Sequence, residues 1–367
     1  MVRYHQKWII GVIIGVSILA CSCSNGKGAV LPGSARADKT ENVEGKVAVA
    51  LTNPREGGAD SLLYGLNAQT GKQMWIDSLP QTALSVVGGL QDHEVAVMGT
   101  GGGDGISIYQ GSTGKLIKTW YVPGMNAGFG ESASVGGNGT MLFVSYGSSP
   151  TTDSTGNVAA YDIETGTELW SHQSRLPAWI ATSSDQSTVG VVSVISVGNS
   201  ATSDNLFTLF DAKSGKQLFA TNFQSQVIGL THATDSNVFA IAESNDIRVI
   251  GQADRKVSLI PLRDAYDPIG IPGGITACSG SSICFRVMDG VAALTVSGNQ
   301  VKSASDVIDT HSYETWSAMA CSSDCDNVWF LGVQATKPVL ERVAKHESRP
   351  EILSRPLKGI AASLALV

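Results

Sequence analysis

The sequence predicts an all-β fold, a β-propeller built of four-stranded antiparallel blades. Three observations lead there. A strand–turn–strand unit recurs along the chain. The composition favours short strands and tight turns, with 41 glycines and only 16% charged residues among 367. The two ends of the folded part each supply an incomplete blade, so that pairing them closes the ring.

The recurring unit is read in chain order. LLYGLNAQTGKQMW ends at Trp75, ISIYQGSTGKLIKTW at Trp120, VAAYDIETGTELW at Trp170 and LFTLFDAKSGKQLF at Phe219. Each is an apolar-alternating strand, a polar turn and a second strand. The turn glycines are Gly71, Gly114, Gly166 and Gly215, spaced by 43, 52 and 49 residues. A tight hairpin needs a positive φ there, which glycine adopts without steric cost. An aromatic stands four residues beyond the glycine at Trp75, Trp170 and Phe219; in the second unit Lys118 takes that place and Trp120 follows two residues later, on the same side of the strand.

This motif resembles the PQQ-like, or quinoprotein-alcohol-dehydrogenase-like, β-propeller repeat, over roughly residues 46–223. The resemblance implies that the aromatic docks one blade onto the next. Later units keep the rhythm without the aromatic: IRVIGQADRKVSLI (247–260), VAALTVSGNQVKSA (291–304) and VWFLGVQATKPVLERV (328–343). Two earlier strands precede each unit, as in AWIATSSDQSTVGVVSVI and VIGLTHATDSNVFAIAE. Lettered A to D, the four strands fill about 46 residues if residues 45–367 hold seven blades. Eight blades, at about 40 residues each, are the alternative. KVAVALTN reads as a strand B with no strand A before it, and GIAASLALV as a lone strand A.

Residues 1–20 read as a secretory signal: Arg3 and Lys7, then an apolar run from Trp8 to Ala20. Thirteen residues are too few to span a bilayer, which takes about 20. Ile18-Leu19-Ala20-Cys21 resembles the bacterial lipobox, which implies lipidation of Cys21 and a protein held on a membrane by that lipid. An ordinary cleaved signal and a short membrane anchor are the alternatives. Residues 21–44 are small, polar and aperiodic, the composition of a flexible tether.

Four cysteines remain. Cys278 and Cys284, and Cys321 and Cys325, each fall between strands A and B of late blades. Local disulfides Cys278–Cys284 and Cys321–Cys325 are the expectation for an exported chain. A four-thiolate metal site and free buried thiols stay open as alternatives.

The A–B and C–D turns of a blade share one face, and the B–C and D–A loops share the other. The first set is short. The second is long: residues 53–61, 99–105, 147–157, 198–205, 261–272 and 305–316. Long loops on a rigid scaffold are the usual seat of recognition. Asp264, Tyr266, Asp267, Asp306, Asp309, His311, Tyr313 and Glu314 are expected to crowd one sector of that face. Acidic and aromatic groups together suit a cationic or sugar-like ligand or a basic peptide; a solvated acidic rim is the alternative.

The net charge of −7 and the lack of a basic block argue against nucleic-acid binding. Low charge and 43% hydrophobic residues argue against disorder and coiled coil. HExxH, GxSxG, the P-loop and an EF-type calcium loop do not occur, and GTGGGDG fails the GxGxxG spacing. Nor do the folded residues hold an adjacent cysteine pair of the kind usual in quinoprotein dehydrogenases. No cofactor, metal or catalytic residue is therefore assigned. In architecture the chain resembles the propeller lipoprotein of outer-membrane barrel assembly, an eight-bladed family. The expectation is an envelope-anchored, non-enzymatic module that binds an envelope protein and needs no oligomer. The alternative is an exported enzyme or small-ligand sensor using the central channel.

Overall fold

The structure, a computed structural model, describes residues 47–54, 60–80, 83, 85–100, 105–123, 125, 132–147, 155–197, 203–233, 237–243, 246–261, 275–277, 282–287, 290–297, 300–304, 308–309, 319–321, 327–334, 337–344, 351–358 and 360–367. The signal, the tether and Cys21 lie outside them.

Among the described residues the strands form six four-stranded sheets and one five-stranded sheet, all antiparallel. Blades are named here by residue number. Blade 85–121 shows the plan: Ser85–Val87, Glu94–Thr100, Gly105–Gln110 and Leu116–Tyr121 pair in chain order. Blades 132–175, 177–225, 227–261, 275–309 and 319–352 repeat it. The first sheet is completed from both ends of the folded chain. Ile360–Leu366 pairs with Val47–Asn53, from Ala48↔Leu366 to Asn53↔Ile360, and Asp60–Asn67 and Gln73–Pro80 follow.

The first strands touch one another in an unbroken circle. Ile360–Leu366 lies against Ser85–Val87, and then come Ser132–Gly136, Pro177–Thr182, Val227–Ala233, Ile275–Ala277 and Met319–Cys321, which returns to Ile360–Leu366. Hydroxyl groups stitch this inner ring. Ser134 Oγ accepts from Thr182 N at 3.0 Å, Ser132 Oγ from Ile180 N at 3.4 Å, and Ser363 Oγ from Val86 N at 3.1 Å. Inner-strand N–H groups left without a strand neighbour would otherwise be costly.

The core lies between blade faces. Val47, Val49, Leu51 and Leu63 pack on Val86, Val95 and Val97; Phe143 and Ala160 pack on Ile180, Val189 and Phe210. Inner strands are buried on both faces, so Val47–Asn53 and Val238–Glu243 read as continuous apolar runs. Blade faces diverge toward the rim, and the outermost strands alternate with solvent, as in Val257–Pro261.

The aromatics dock as the repeat implies. Trp75 Nε1 donates to Gly111 O and Trp170 Nε1 to Ala212 O, each at 2.8 Å in the next blade. Their rings fill the space that a side chain at Gly114 or Gly215 would need: a Cβ there would stand 2.5 or 2.7 Å from the indole. Both glycines also hold φ at +70°. The turn glycine therefore serves the hairpin and the blade seam together.

Three expectations are corrected in detail, and one outer turn departs from the glycine pattern. Residues 328–343 are the second and third strands of their blade, Asn327–Gln334 and Lys337–Ala344; its outer strand is the two-residue Glu351–Ile352. A strand–turn–strand pattern alone does not say which hairpin of a blade it is. In blade 227–261 the outer hairpin has no turn glycine, and Arg255 takes the positive φ of 58°. Asp309 is not in a loop. Gln300–Ala304 covers only the far half of Gly290–Ser297, leaving Gly290 and Val291 to pair with Asp309 and Ile308. Cys284 is not in the turn between strands A and B either: it is buried on the second strand of that hairpin, Ser282–Val287, opposite Thr276, while Cys321 ends Met319–Cys321. Cys278 and Cys325 lie outside the described residues.

Candidate binding face

The two faces of the ring are built differently. On the A–B and C–D face, three outer hairpins are closed by their own side chains. Asp162 Oδ1 accepts from Thr165 N and Oγ1, both at 2.7 Å, and Asp211 Oδ1 repeats this with Ser214. Asn67 does the same with Thr70. These Asx turns hold the hairpins without help from other blades.

The A–B turns are also linked from blade to blade. Asn138 N donates to Gln186 Oε1. Ser184 N donates to His232 Nδ1 at 3.2 Å, so the other ring nitrogen, Nε2, carries the proton and donates to Gln252 Oε1 at 3.2 Å. Gln252 Nε2 in turn reaches both Asp185 oxygens at 3.1 Å. Burial of Asp185 opposes its charge, but hydrogen bonds from Ser183, Ser187 and Gln252 outweigh it and hold the carboxyl down at about 2. Burial holds His232 neutral, with its pKa lowered to about 4. The network satisfies every member, and its chemistry is that of a fastening.

The opposite face carries the long connections. The structure describes their stems. Asn53 Oδ1 accepts from Ser61 Oγ at 2.7 Å, and Ser61 Oγ accepts from Ala83 N at 2.8 Å. Asn205 Nδ2 donates to Ser203 O and Ser225 O. Arg175 Nη1 donates to Ile195 O at 3.3 Å. These stems are tied by side-chain hydrogen bonds.

Of the sector expected to bind, only Asp309 falls among the described residues, placed by its backbone opposite Gly290. Asp264, Tyr266, Asp267, Asp306, His311, Tyr313 and Glu314 lie outside them. Among the described residues no three His, Cys, Asp or Glu side chains group as metal ligands would.

Two features of this region carry no sequence signal. Glu243 and Arg248 pair across a short connection, Nε to Oε1 at 2.5 Å and Nη2 to Oε2 at 3.2 Å, with the guanidinium 4.6 Å from the centre of the Phe223 ring in the preceding blade. Burial pushes the Glu243 carboxyl up, and Arg248 pulls it back only in part. Within the strand Lys337–Ala344, Glu341 is fully buried, has no hydrogen-bond partner for either oxygen among the described residues, and is raised by burial to about 7. Both need the fold to be seen.

Comparison with known proteins places the chain. The profile of the family "Outer membrane protein assembly factor BamB" matches residues 59–199 and, in an overlapping copy, 154–258. The chain belongs to this family. No curated protein sequence matches it significantly. Among solved structures, Kuenenia stuttgartiensis hydrazine synthase is similar over 85% of this chain and 99% of that one, with a TM-score of 0.58 and 13% identity. At that identity the likeness is one of fold alone.

Proposed function

We propose that this member of the BamB family is a non-enzymatic binding module of the cell envelope, held to a membrane by a lipid on Cys21. Its propeller is a seven-bladed ring closed by the pairing of Ile360–Leu366 with Val47–Asn53. It presents the B–C and D–A loops to a protein partner. The observation that carries this reading is the contrast between the two faces. One is fastened by short, self-satisfied turns and blade-to-blade hydrogen bonds. The other raises long connections on stems tied by side-chain hydrogen bonds. The family's description as an outer membrane protein assembly factor agrees with an envelope partner. Within that face, the sector around Asp264, Tyr266, Asp267, Asp306, Asp309, His311, Tyr313 and Glu314 is assigned to recognition. Disulfides Cys278–Cys284 and Cys321–Cys325 are assigned to bracing the last two blades.

Cell fractionation and loop replacement test the reading. Cys21→Ser is expected to move the protein from the membrane to the soluble fraction. Replacing residues 54–60 and 198–202 by Asn-Gly turns is expected to leave the urea midpoint nearly unchanged while the partner no longer co-isolates. Retention of the Cys21→Ser protein on the membrane, or full co-isolation after both replacements, would contradict it.

A further inference from the structure

We infer that the seam between the outer strands of blades 177–225 and 227–261 is a docking groove for an extended, aliphatic peptide segment bearing one side-chain carboxylate. The inference rests on the protein-binding reading and adds a second contact site, on the outer wall.

Outer strand Val257–Pro261 is VSLIP, and Gln217–Ser225 is QLFATNFQS; neither carries a charge. Among the described residues each pairs on one side only in its sheet, which leaves the N–H and C=O groups of its far edge free. Proteins usually protect such edges with charged residues. Here they present Val257, 40% exposed, and Leu259, 50% exposed.

Leu259 is registered opposite Arg248, and Val257 opposite Ile250, so all four side chains share the face turned to Phe223. Arg248 is held from two sides. Glu243, 3% exposed, takes its Nε and Nη2, and the Phe223 ring supports the plane. The Nη1 group has no partner among the described residues, and the side chain keeps 16% of its exposure. A guanidinium immobilised beforehand loses little entropy when it takes a second acceptor. A carboxylate suits that remaining donor best, because charge-assisted bonds are stronger than neutral ones. An aliphatic strand beside it would cover Val257 and Leu259 and satisfy the free edge, the mode known as β-augmentation.

The test is photocrosslinking of the full chain in its native envelope, with benzoylphenylalanine placed at Val257, at Leu259 and, as a control, at Leu169. The groove predicts discrete adducts at the first two positions, mapped by mass spectrometry to an aliphatic segment with an Asp or Glu beside the crosslink. The paired change Glu243→Gln with Arg248→Gln avoids stranding a buried charge and should lower the yield about tenfold, the loss of one charge-assisted contact. Leu259→Asp, at an exposed position that tolerates it, should abolish the Val257 adduct by repulsion. No adduct at either position, an adduct to a segment lacking an acid, or yields unchanged by both variants would overturn the proposal. If reporters in residues 53–61 and 198–205 still capture a recurring partner, the groove fails alone. If they are silent too, the protein-binding reading fails with it.

Discussion

His232 shows how one buried side chain couples this fold to pH. It is 5% exposed, packs edge-on against Phe239 at 4.8 Å, and ties the A–B turn of blade 177–225 at Ser184 to the outer turn of its own blade at Gln252. Its folded pKa, about 4, lies below its ordinary value of 6.5. The unfolded chain therefore takes up a proton that the folded one refuses. Its contribution is complete above about pH 6.5 and is lost as pH falls through about 4, on the order of 3 kcal/mol at most. His232→Gln, which keeps a donor toward Gln252, should flatten the acid limb of a stability–pH curve between those values. An unchanged limb would mean that the imidazole is not the group refusing the proton. Neither this histidine nor the pairing of Glu243 with Arg248 was legible in the sequence. A lone histidine or arginine in a strand has no spacing to reveal a partner on another blade.

At the scale of the hairpin, legibility was greater. The four glycine turns could be read because positive φ and lack of space, under an indole at Gly114, Gly166 and Gly215 and against the Leu353 backbone at Gly71, demand the same residue. Blade 227–261 departs from this rule at Arg255, which holds φ at 58° and has no glycine to relieve it. Substitution Arg255→Gly should raise the stability read from urea unfolding by about 0.5–1 kcal/mol, since a left-handed conformation costs an L side chain roughly that much or more. A fall in stability would show that the Arg255 side chain makes a contact worth more than the strain. The blades beyond residue 261 were harder to parse. Lys337–Ala344 and its neighbour show the same alternation as any hairpin, and only pairing with Glu351–Ile352 identifies them as second and third strands.

Across the whole molecule the decisive event is ring closure. Two seams inside the repeats use an outer-strand tryptophan, Trp75 or Trp170, that donates to the first residue of the neighbour's outer turn, Gly111 or Ala212. Blade 319–352 has only a two-residue outer strand and no tryptophan on it. Trp329, on the second strand, takes over: its Nε1 donates to Ala68 O at 2.7 Å, the equivalent acceptor in blade 47–80. The contact bridges 261 positions in sequence, which is why no local pattern disclosed it. Trp329→Phe keeps an aromatic six-membered ring but removes the pyrrole half and its N–H donor. It should cost about 1–3 kcal/mol, because a buried carbonyl loses its partner, and should raise hydrogen exchange first in Ile360–Leu366. Exchange rising evenly over all blades would argue against a closure role. The overall circle was foreseeable from the end-matching of KVAVALTN and GIAASLALV; the residue that latches it was not.

The most direct measurement of the central claim is crosslinking mass spectrometry on the tethered protein in its native envelope, with residues 53–61 and 305–316 as reporters. The account predicts one recurring protein partner on that face and none on the turns around Asp162, Asp185 and Asp211. Crosslinks spread evenly over both faces, with no recurring partner, would contradict it.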